Sequence, residues 1–360
     1  MMRRIHSSPC GGNDGCAAAQ RAVGSLKSLA DSVRNATPKL GSTIQHTALA
    51  VKRFQMNTSQ KPIRSMAIVT CHFNPCGYSR PIQNFVRFAA GIAAADLDLY
   101  AVELAFDDQP FQLASYIAPS RHLRHRVSSE HGILWQKERL INLGFSTLPE
   151  HYDAVAWIDA DLLFVNPNWS KIALTKLSET PVVQLFSRVI DTDGNGHLID
   201  PPRSGIGHVL NTPALKGKYG RPGGAWAARR EAVADGLYDR HVLGGGDSIL
   251  VHAWQGKVGQ AQSYAALESD WLHDYARRQT PRVQGKIGYV PGDAVHLYHG
   301  TRQRRRYVDR YQILHRGKYN PATDISTEEG PLTWSESARR EKPEMIAEVA
   351  NYFASRQEDE

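Results

Sequence analysis

Two aspartates one residue apart interrupt an apolar run in Trp157-Ile158-Asp159-Ala160-Asp161-Leu162-Leu163-Phe164. Like charges at such a junction are costly unless a cation or hydrogen-bond donors compensate them. Hard divalent cations take oxygen ligands, and magnesium or manganese bridges carboxylates to diphosphates. The pair reads as a cation site; a bare Asp-x-Asp also fits a strand-to-turn junction in which Asp159 caps a loop. A second stretch, Val242-Leu243-Gly244-Gly245-Gly246-Asp247-Ser248, sets three glycines before a helix-like segment. Glycines let backbone and ligand approach closely, and Asp247 is either a pocket carboxylate or a simple N-cap. Next come His296 and His299 in Val295-His296-Leu297-Tyr298-His299-Gly300. Imidazole suits manganese-class cations, so one of them could complete a site begun by Asp161. On a strand, spacing three puts the two on opposite faces. Last is the run Arg302-Gln303-Arg304-Arg305-Arg306-Tyr307, suited to phosphate contact or to a solvated surface.

These residues need a frame. Met66–Cys71 is a short apolar run with a β-branched centre, ending at the turn signals of Asn74-Pro75-Cys76-Gly77. Helical spacing follows over Pro81–Ala94. Further strands are expected at Leu97–Leu104 (ending at Glu103), Ala154–Ile158, Val182–Phe186 and Ala294–Tyr298. Helix-like stretches lie at Trp135–Leu143, at Asp247–Trp254 and from Pro343, where Met345, Ile346, Val349 and Phe353 share a face. Strands alternating with helices imply a mostly parallel, three-layer α/β sheet, with ligands beyond the carboxyl ends of its strands. Asp191-Thr192-Asp193-Gly194-Asn195-Gly196 imitates a calcium loop, but its twelfth position is Pro202, and it reads as a turn. No phosphate-loop, nucleophile-elbow or zinc-protease motif occurs.

Composition narrows the class. The chain has 360 residues, 41% apolar and 22% charged, with a mean hydropathy of −0.42, which excludes a disordered or membrane-bundle chain. The net charge of +7 is local: residues 1–65 carry ten Lys/Arg and two acids, a net of +8, which leaves 66–360 at −1. A whole-domain grip on nucleic acid is thus poorly supported. The leader 1–65 matches the basic, Ser-rich composition of transit peptides. It also matches a segment with no folded role, or an extension upstream of Met56 or Met66. Four cysteines, Cys10, Cys16, Cys71 and Cys76, are too few for a disulfide framework and suit a reduced interior. No apolar run is long enough to span a bilayer. Cytoplasmic residence, or organelle targeting by the leader, is therefore expected.

In motif order the chain resembles GT-A glycosyltransferases, and more narrowly the β-1,4-galactosyltransferase-like group. The resemblance rests on Trp135-Gln136-Lys137-Glu138-Arg139-Leu140-Ile141-Asn142-Leu143-Gly144-Phe145, then Asp159-Ala160-Asp161. It continues with Gly223-Gly224-Ala225-Trp226 through Arg229, Gly245-Gly246-Asp247, and His296-Leu297-Tyr298-His299, over about 66–320. It departs from the group at Leu243 and Ser248, and at Cys71-His72-Phe73-Asn74-Pro75, and it lacks the group's secretory anchor and disulfides. A galactose label does not carry over.

The resemblance implies a GT-A fold and a metal-dependent transfer from a nucleotide-sugar, a UDP-sugar, to an acceptor hydroxyl with inversion. It implies Asp159 and Asp161 on a Mn2+ or Mg2+ ion, with His296 or His299 as its last ligand. It places Thr70, Glu103, Trp135, Lys137, Gly223, Gly224 and Trp226 at the donor and makes Asp247 the general base; the basic run itself, through Arg304, is expected on the donor's phosphate. The acceptor is left open: a reduced interior without stable membrane insertion permits a glycan, a small metabolite or a hydroxymethylated base in viral DNA. The expected domains are the leader 1–65, a transferase domain 66–325 (a nucleotide-binding half 66–190 and an acceptor and metal-completing half 191–325), and a helical tail 326–360. Two rivals stand beside this reading: a non-catalytic nucleic-acid-binding protein with an inert sugar site, and a nucleotidyltransferase, which also uses paired carboxylates.

Overall fold

A computed structural model describes residues 62–360 apart from 262, 265, 266 and 329. The expectations for residues 1–61, including Cys10 and Cys16, lie outside the described residues. The chain opens with β1 (Met66–Phe73), whose MAIVT core is buried on both faces. A continuous apolar run of this kind marks a central parallel strand. It pairs in parallel with β2 (Leu99–Phe106) on one side and β4 (Ala154–Ile158) on the other. Beyond β2 lies β3 (His122–Val127), also parallel. Beyond β4 come β9 (Ala225–Arg229), β6 (Val182–Gln184) and β10 (Ile287–Tyr289). Only β9 runs antiparallel to its neighbours in this seven-stranded sheet.

A four-stranded sheet stands beside it, in the order β5 (Leu162–Phe164), β11 (Asp293–His296), β7 (Arg188–Thr192), β8 (Leu198–Ser204). The turn Asp159-Ala160-Asp161 is the joint between the sheets, since β4 belongs to one and β5 to the other.

Alternation along the strands sends side chains to two cores. Ala67, Val69, Val155, Trp157, Trp226 and Ala228 face one layer, with Ile141 of helix α2 (Lys137–Thr147), Ile249 and Trp254 of α4 (Gly246–Trp254), and Leu272 and Tyr275 of α5 (Asp270–Val283). Ile68, Ala154, Ala156, Ala225 and Ala227 face the other, with Phe85, Phe88 and Ile92 of α1 (Arg80–Ala94) and Trp169, Ala173 and Leu177 of α3 (Trp169–Leu177). The three-layer, mostly parallel α/β architecture expected from the sequence is therefore present. Among the described residues no helix is long and apolar enough to cross a membrane.

Element boundaries differ from the sequence reading in informative places. β2 continues to Phe106, so Glu103 lies inside the strand rather than at its end. β11 stops at His296, two residues short of the strand expected to run to Tyr298. Asp191 is the fourth residue of β7, and only the following Asp193–Gly196 forms a turn, closed by Gly196 N–H donating to Asp193 O. Helix α5 was not foreseen, although Leu272, Tyr275, Ala276, Gln279 and Val283 recur at helical spacing and are its buried face. The tail helix α6 (Pro343–Ser355) starts with proline as expected and buries Met345, Val349, Tyr352 and Phe353.

Candidate active site

A cleft of about 420 Å³ opens at the carboxyl ends of β1 and β4, the edge where α/β sheets receive ligands. Its floor is the joint between the sheets. Asp159 N–H donates to Gly224 O at 2.8 Å, and Leu297 N–H donates to Asp161 O at 2.8 Å. The two aspartates are thereby pinned to β9 on one side and to the end of β11 on the other. Gly224 itself has φ +117°, a conformation open to glycine.

The aspartates then part company. Asp159 Oδ1 lies 2.7 Å from Lys137 Nζ, and the same ammonium lies 2.8 Å from Asp247 Oδ2. Lys137 is the first residue of α2 and Asp247 the second of α4, so two helix starts converge on one cation. Burial works against the Lys137 charge, but Asp159 and Asp247 raise its pKa well above the lysine range. Burial pushes the Asp159 carboxyl up to about 6 against the pull of Lys137. Asp247 is not the N-cap of its helix: Gly245, at φ +105°, takes that position. Its carboxylate is left to face the cleft, with Gly223 so close that a Cβ there would sit 2.9 Å from Oδ2. Beside it, burial pushes the Glu138 carboxyl up to about 8, and Glu138 Oε2 accepts from the Trp135 indole N–H at 2.9 Å.

Asp161 turns to the histidines. Its Oδ2 is 2.8 Å from His299 Nε2 and 3.6 Å from His296 Nε2, and the two Nε2 atoms are 3.3 Å apart. One ligand atom from each of Asp161, His296 and His299 lies within 4.8 Å of the others. The expectation that the histidines point to opposite faces is corrected here. β11 ends at His296, so strand alternation no longer governs His299, which turns back onto Asp161. Asp159 is outside this cluster.

The cluster fits a divalent cation on three observations. Asp161 Oδ1 is buried with no hydrogen-bond partner among the described residues. His296 Nδ1 lies 2.9 Å from Asp191 Oδ1, which fixes the ring and leaves Nε2 facing Asp161; such a carboxylate behind a histidine is a usual feature of metal sites. Burial pushes His296 down to about 3, so its ring is neutral, the form that ligates. Burial and Arg305 oppose a charge on His299, but Asp161 outweighs them and raises its pKa. Burial also disfavours the Asp161 charge, yet His296 and His299 hold that carboxyl well below the usual range.

Of the remaining expected donor contacts, Thr70, Trp135 and Gly223 line the cleft. Thr70 Oγ1 donates to Ile158 O at 2.8 Å. Glu103 does not line it: 2% exposed, its carboxylate accepts from Gln112 N, Leu113 N and His122 Nε2 and fastens the loop after β2. Trp226, the second residue of β9, is fully buried against Trp254, and its indole N–H donates to Pro222 O. Gly224 supports Asp159 from behind. Arg304 turns away to Glu360 at 2.7 Å, and its neighbour Arg305 faces the cleft instead.

Several residues of the site and its surroundings carry no local signal in the sequence. Asp191, behind His296, reads from the sequence as part of a turn; its parallel pairing with His296 across β7 and β11 is invisible to local pattern. Arg203 and Arg221 converge on Asp191. Arg356 and Glu358, from the segment after α6, close one wall: Glu358 Oε1 is 2.6 Å from Arg356 and 3.8 Å from His299 Nδ1.

No family model and no curated protein matches the chain. Solved structures do. Glucosyl-3-phosphoglycerate synthase from Mycobacterium tuberculosis, in complex with Mn2+, UDP and phosphoglyceric acid, is similar at 12% identity and a TM-score of 0.39, over 76% of this chain and 86% of that one. The catalytic domain of Drosophila β1,4-galactosyltransferase 7 with xylobiose is similar at 14% identity and 0.37, over 79% and 99%. A mutant of it with manganese, UDP-Gal and xylobiose gives 12% and 0.37, over 78% and 99%. At these identities and TM-scores, residue roles stand on the site's own geometry.

Proposed function

We propose that this chain is a metal-dependent glycosyltransferase that moves a sugar from a nucleotide-sugar, a UDP-sugar, to an acceptor hydroxyl with inversion. The observation that carries the reading is the Asp161–His296–His299 cluster, with its orphaned Asp161 Oδ1, in one cleft with the ionic bridge Asp159–Lys137–Asp247. Asp161, His296 and His299 would hold Mn2+ or Mg2+, which when bound supplies positive charge against a departing diphosphate. Arg305, beside His299, adds a second positive group on that side: its Nη2 donates to His299 O at 3.2 Å.

The acceptor side belongs to Asp247. Inversion needs a base on the face of the sugar opposite the leaving group. The acceptor oxygen attacks the anomeric carbon, the bond from that carbon to the diphosphate oxygen breaks, and the hydroxyl proton passes to a carboxylate. Asp247 is held by Lys137 on Oδ2 and lies against Gly223, where any side chain would crowd that oxygen. Asp159 shares the same ammonium, so Lys137 orients both carboxylates. Trp135, whose ring lines the cleft, offers an apolar face to the nucleotide or sugar.

Isothermal titration tests the reading. Manganese is expected to tighten UDP binding by at least tenfold, and Asp161→Ala to abolish that gain. Equal UDP affinity in the presence of a chelator would overturn the metal role.

A further inference from the structure

The cleft carries more positive charge than a cation and a donor diphosphate can use. Arg305 and Arg310 are each only 6% exposed and form no ion pair among the described residues. Arg305 Nη1 donates to the Tyr307 hydroxyl at 3.0 Å, and Arg310 donates to the hydroxyls of Tyr352 and Tyr311. Arg310 also lies 5.2 Å from the Tyr307 ring. Arg203 and Arg221 share one carboxylate, Asp191, which also holds His296. Arg302, exposed at the mouth, has no ion pair among the described residues, and it lies close enough to Arg203 for the two charges to repel. Buried or crowded like charges without counter-ions are unstable unless a ligand supplies them.

A charge ledger separates two demands. The two charges of a divalent cation meet the two of a donor diphosphate. Counted over the whole cleft, the negative charge of Asp161 and the carboxylate that Lys137 leaves over in its bridge with Asp159 and Asp247 equal in number the charges of Arg305 and Arg310, although neither guanidinium pairs with them directly. Arg356 is answered by Glu358. Glu138, pushed up to about 8, adds no full charge at neutral pH. Two positive charges remain unanswered: one shared by Arg203 and Arg221 around Asp191, and one on Arg302. All three guanidiniums line the cleft, with the exposed Tyr219 at its rim.

We propose that Arg203, Arg221 and Arg302 form a second anion subsite that receives a phosphate-class dianion carried by the acceptor, so that the acceptor is a small phosphorylated or similarly charged hydroxyl compound. The subsite is separate from the donor diphosphate and rests on the glycosyltransferase reading above. Guanidiniums suit this task because their planar N–H groups meet two oxygens of one anion at once.

Inorganic sulfate is the probe, a dianion of phosphate's shape that leaves manganese in solution. It is titrated into protein already saturated with Mn2+ and UDP, which fills the donor site. Sulfate is expected to bind the saturated protein, and Arg302→Ala to weaken it by about tenfold, the scale of one charged hydrogen bond. In that variant Mn2+-dependent UDP affinity should move less than about twofold, since the donor diphosphate is met by the cation at Asp161, His296 and His299 rather than by Arg302. Sulfate that binds only without UDP, and competes with it, would assign the arginines to the donor and overturn the subsite. Absence of sulfate binding in both states would overturn it as well. Should UDP fail to bind with Mn2+, the transferase reading falls at the first step; sulfate binding lost in Arg302→Ala would then still establish the anion subsite, without an acceptor role.

Discussion

At the scale of single residues, the site divides its carboxylates by what stands next to them. Asp159 and Asp247 share an ammonium, whereas Asp161 faces two imidazoles. Removing one partner from a buried ionic group costs more than the group contributes when complete. Lys137→Ala would therefore leave two carboxylates together and damage folding, which makes it a poor probe of chemistry. Asp247→Asn is the better one. The amide oxygen can still accept from Lys137, so the cleft keeps its shape, but the side chain can no longer take a proton. UDP affinity in the presence of manganese should stay within about threefold, while sugar transfer falls by about 10²–10⁴, the usual contribution of a positioned base. Transfer at the wild-type rate in Asp247→Asn, measured as UDP release, would remove Asp247 from that role.

At the scale of elements, the ligands come from places that a linear reading joins only in part. Asp159 and Asp161 were legible because an apolar strand and its acidic end are adjacent in sequence. His296 and His299 were legible as a pair, though not their convergence, which depends on β11 ending one residue after Val295. Asp191 and Glu358 were not legible. One is brought to His296 by strand register, the other to His299 by the packing of the segment after α6. Strands of three residues, such as β5 and β10, are too short to show a period.

That segment is fastened at several points. Asp359 accepts from Ser79 N and Arg80 N at the start of α1, Tyr298 donates to Glu360 O, and Arg356 lies 5.4 Å from the Trp135 ring. The two supporting carboxylates are unequal, since Asp191 sits 2.9 Å from His296 Nδ1 and Glu358 3.8 Å from His299 Nδ1. Supporting carboxylates behind metal-bound histidines are worth about 10–100-fold in affinity. Asp191→Asn should thus weaken Mn2+ binding toward the upper end of that range, and Glu358→Gln toward the lower end, in competition against a fluorescent chelator. The reverse order would show that distance to the ring does not set their importance.

For the whole molecule, the cluster lies where two sheets meet. Asp161 follows the seven-stranded sheet, while His296 closes a strand of the four-stranded one, so a shared cation would tie them together. A ligand that binds only the folded state stabilises it by about 2.7 kcal/mol at a hundredfold excess over Kd, which in a chain of this size raises Tm by several degrees. The sign of the pH dependence follows from the two histidines. His296, pushed down to about 3, is already neutral and has no proton to lose. His299 has a raised pKa, so in the metal-free fold its ion pair contributes stability that is present below the unfolded value of about 6.5 and lost as pH rises through the folded one. A cation must displace that same proton, so the two effects run in opposite directions. The manganese-induced rise in Tm should be largest on the alkaline side of the raised His299 pKa and shrink as pH falls through it, with up to one proton released per ion bound. Thermal scans with and without Mn2+ across that pKa, and calorimetry in buffers of different ionisation enthalpy, measure both quantities. Asp161→Ala should flatten the manganese response at every pH. A Tm rise independent of pH, or one that survives in Asp161→Ala, would place the ion elsewhere on the protein.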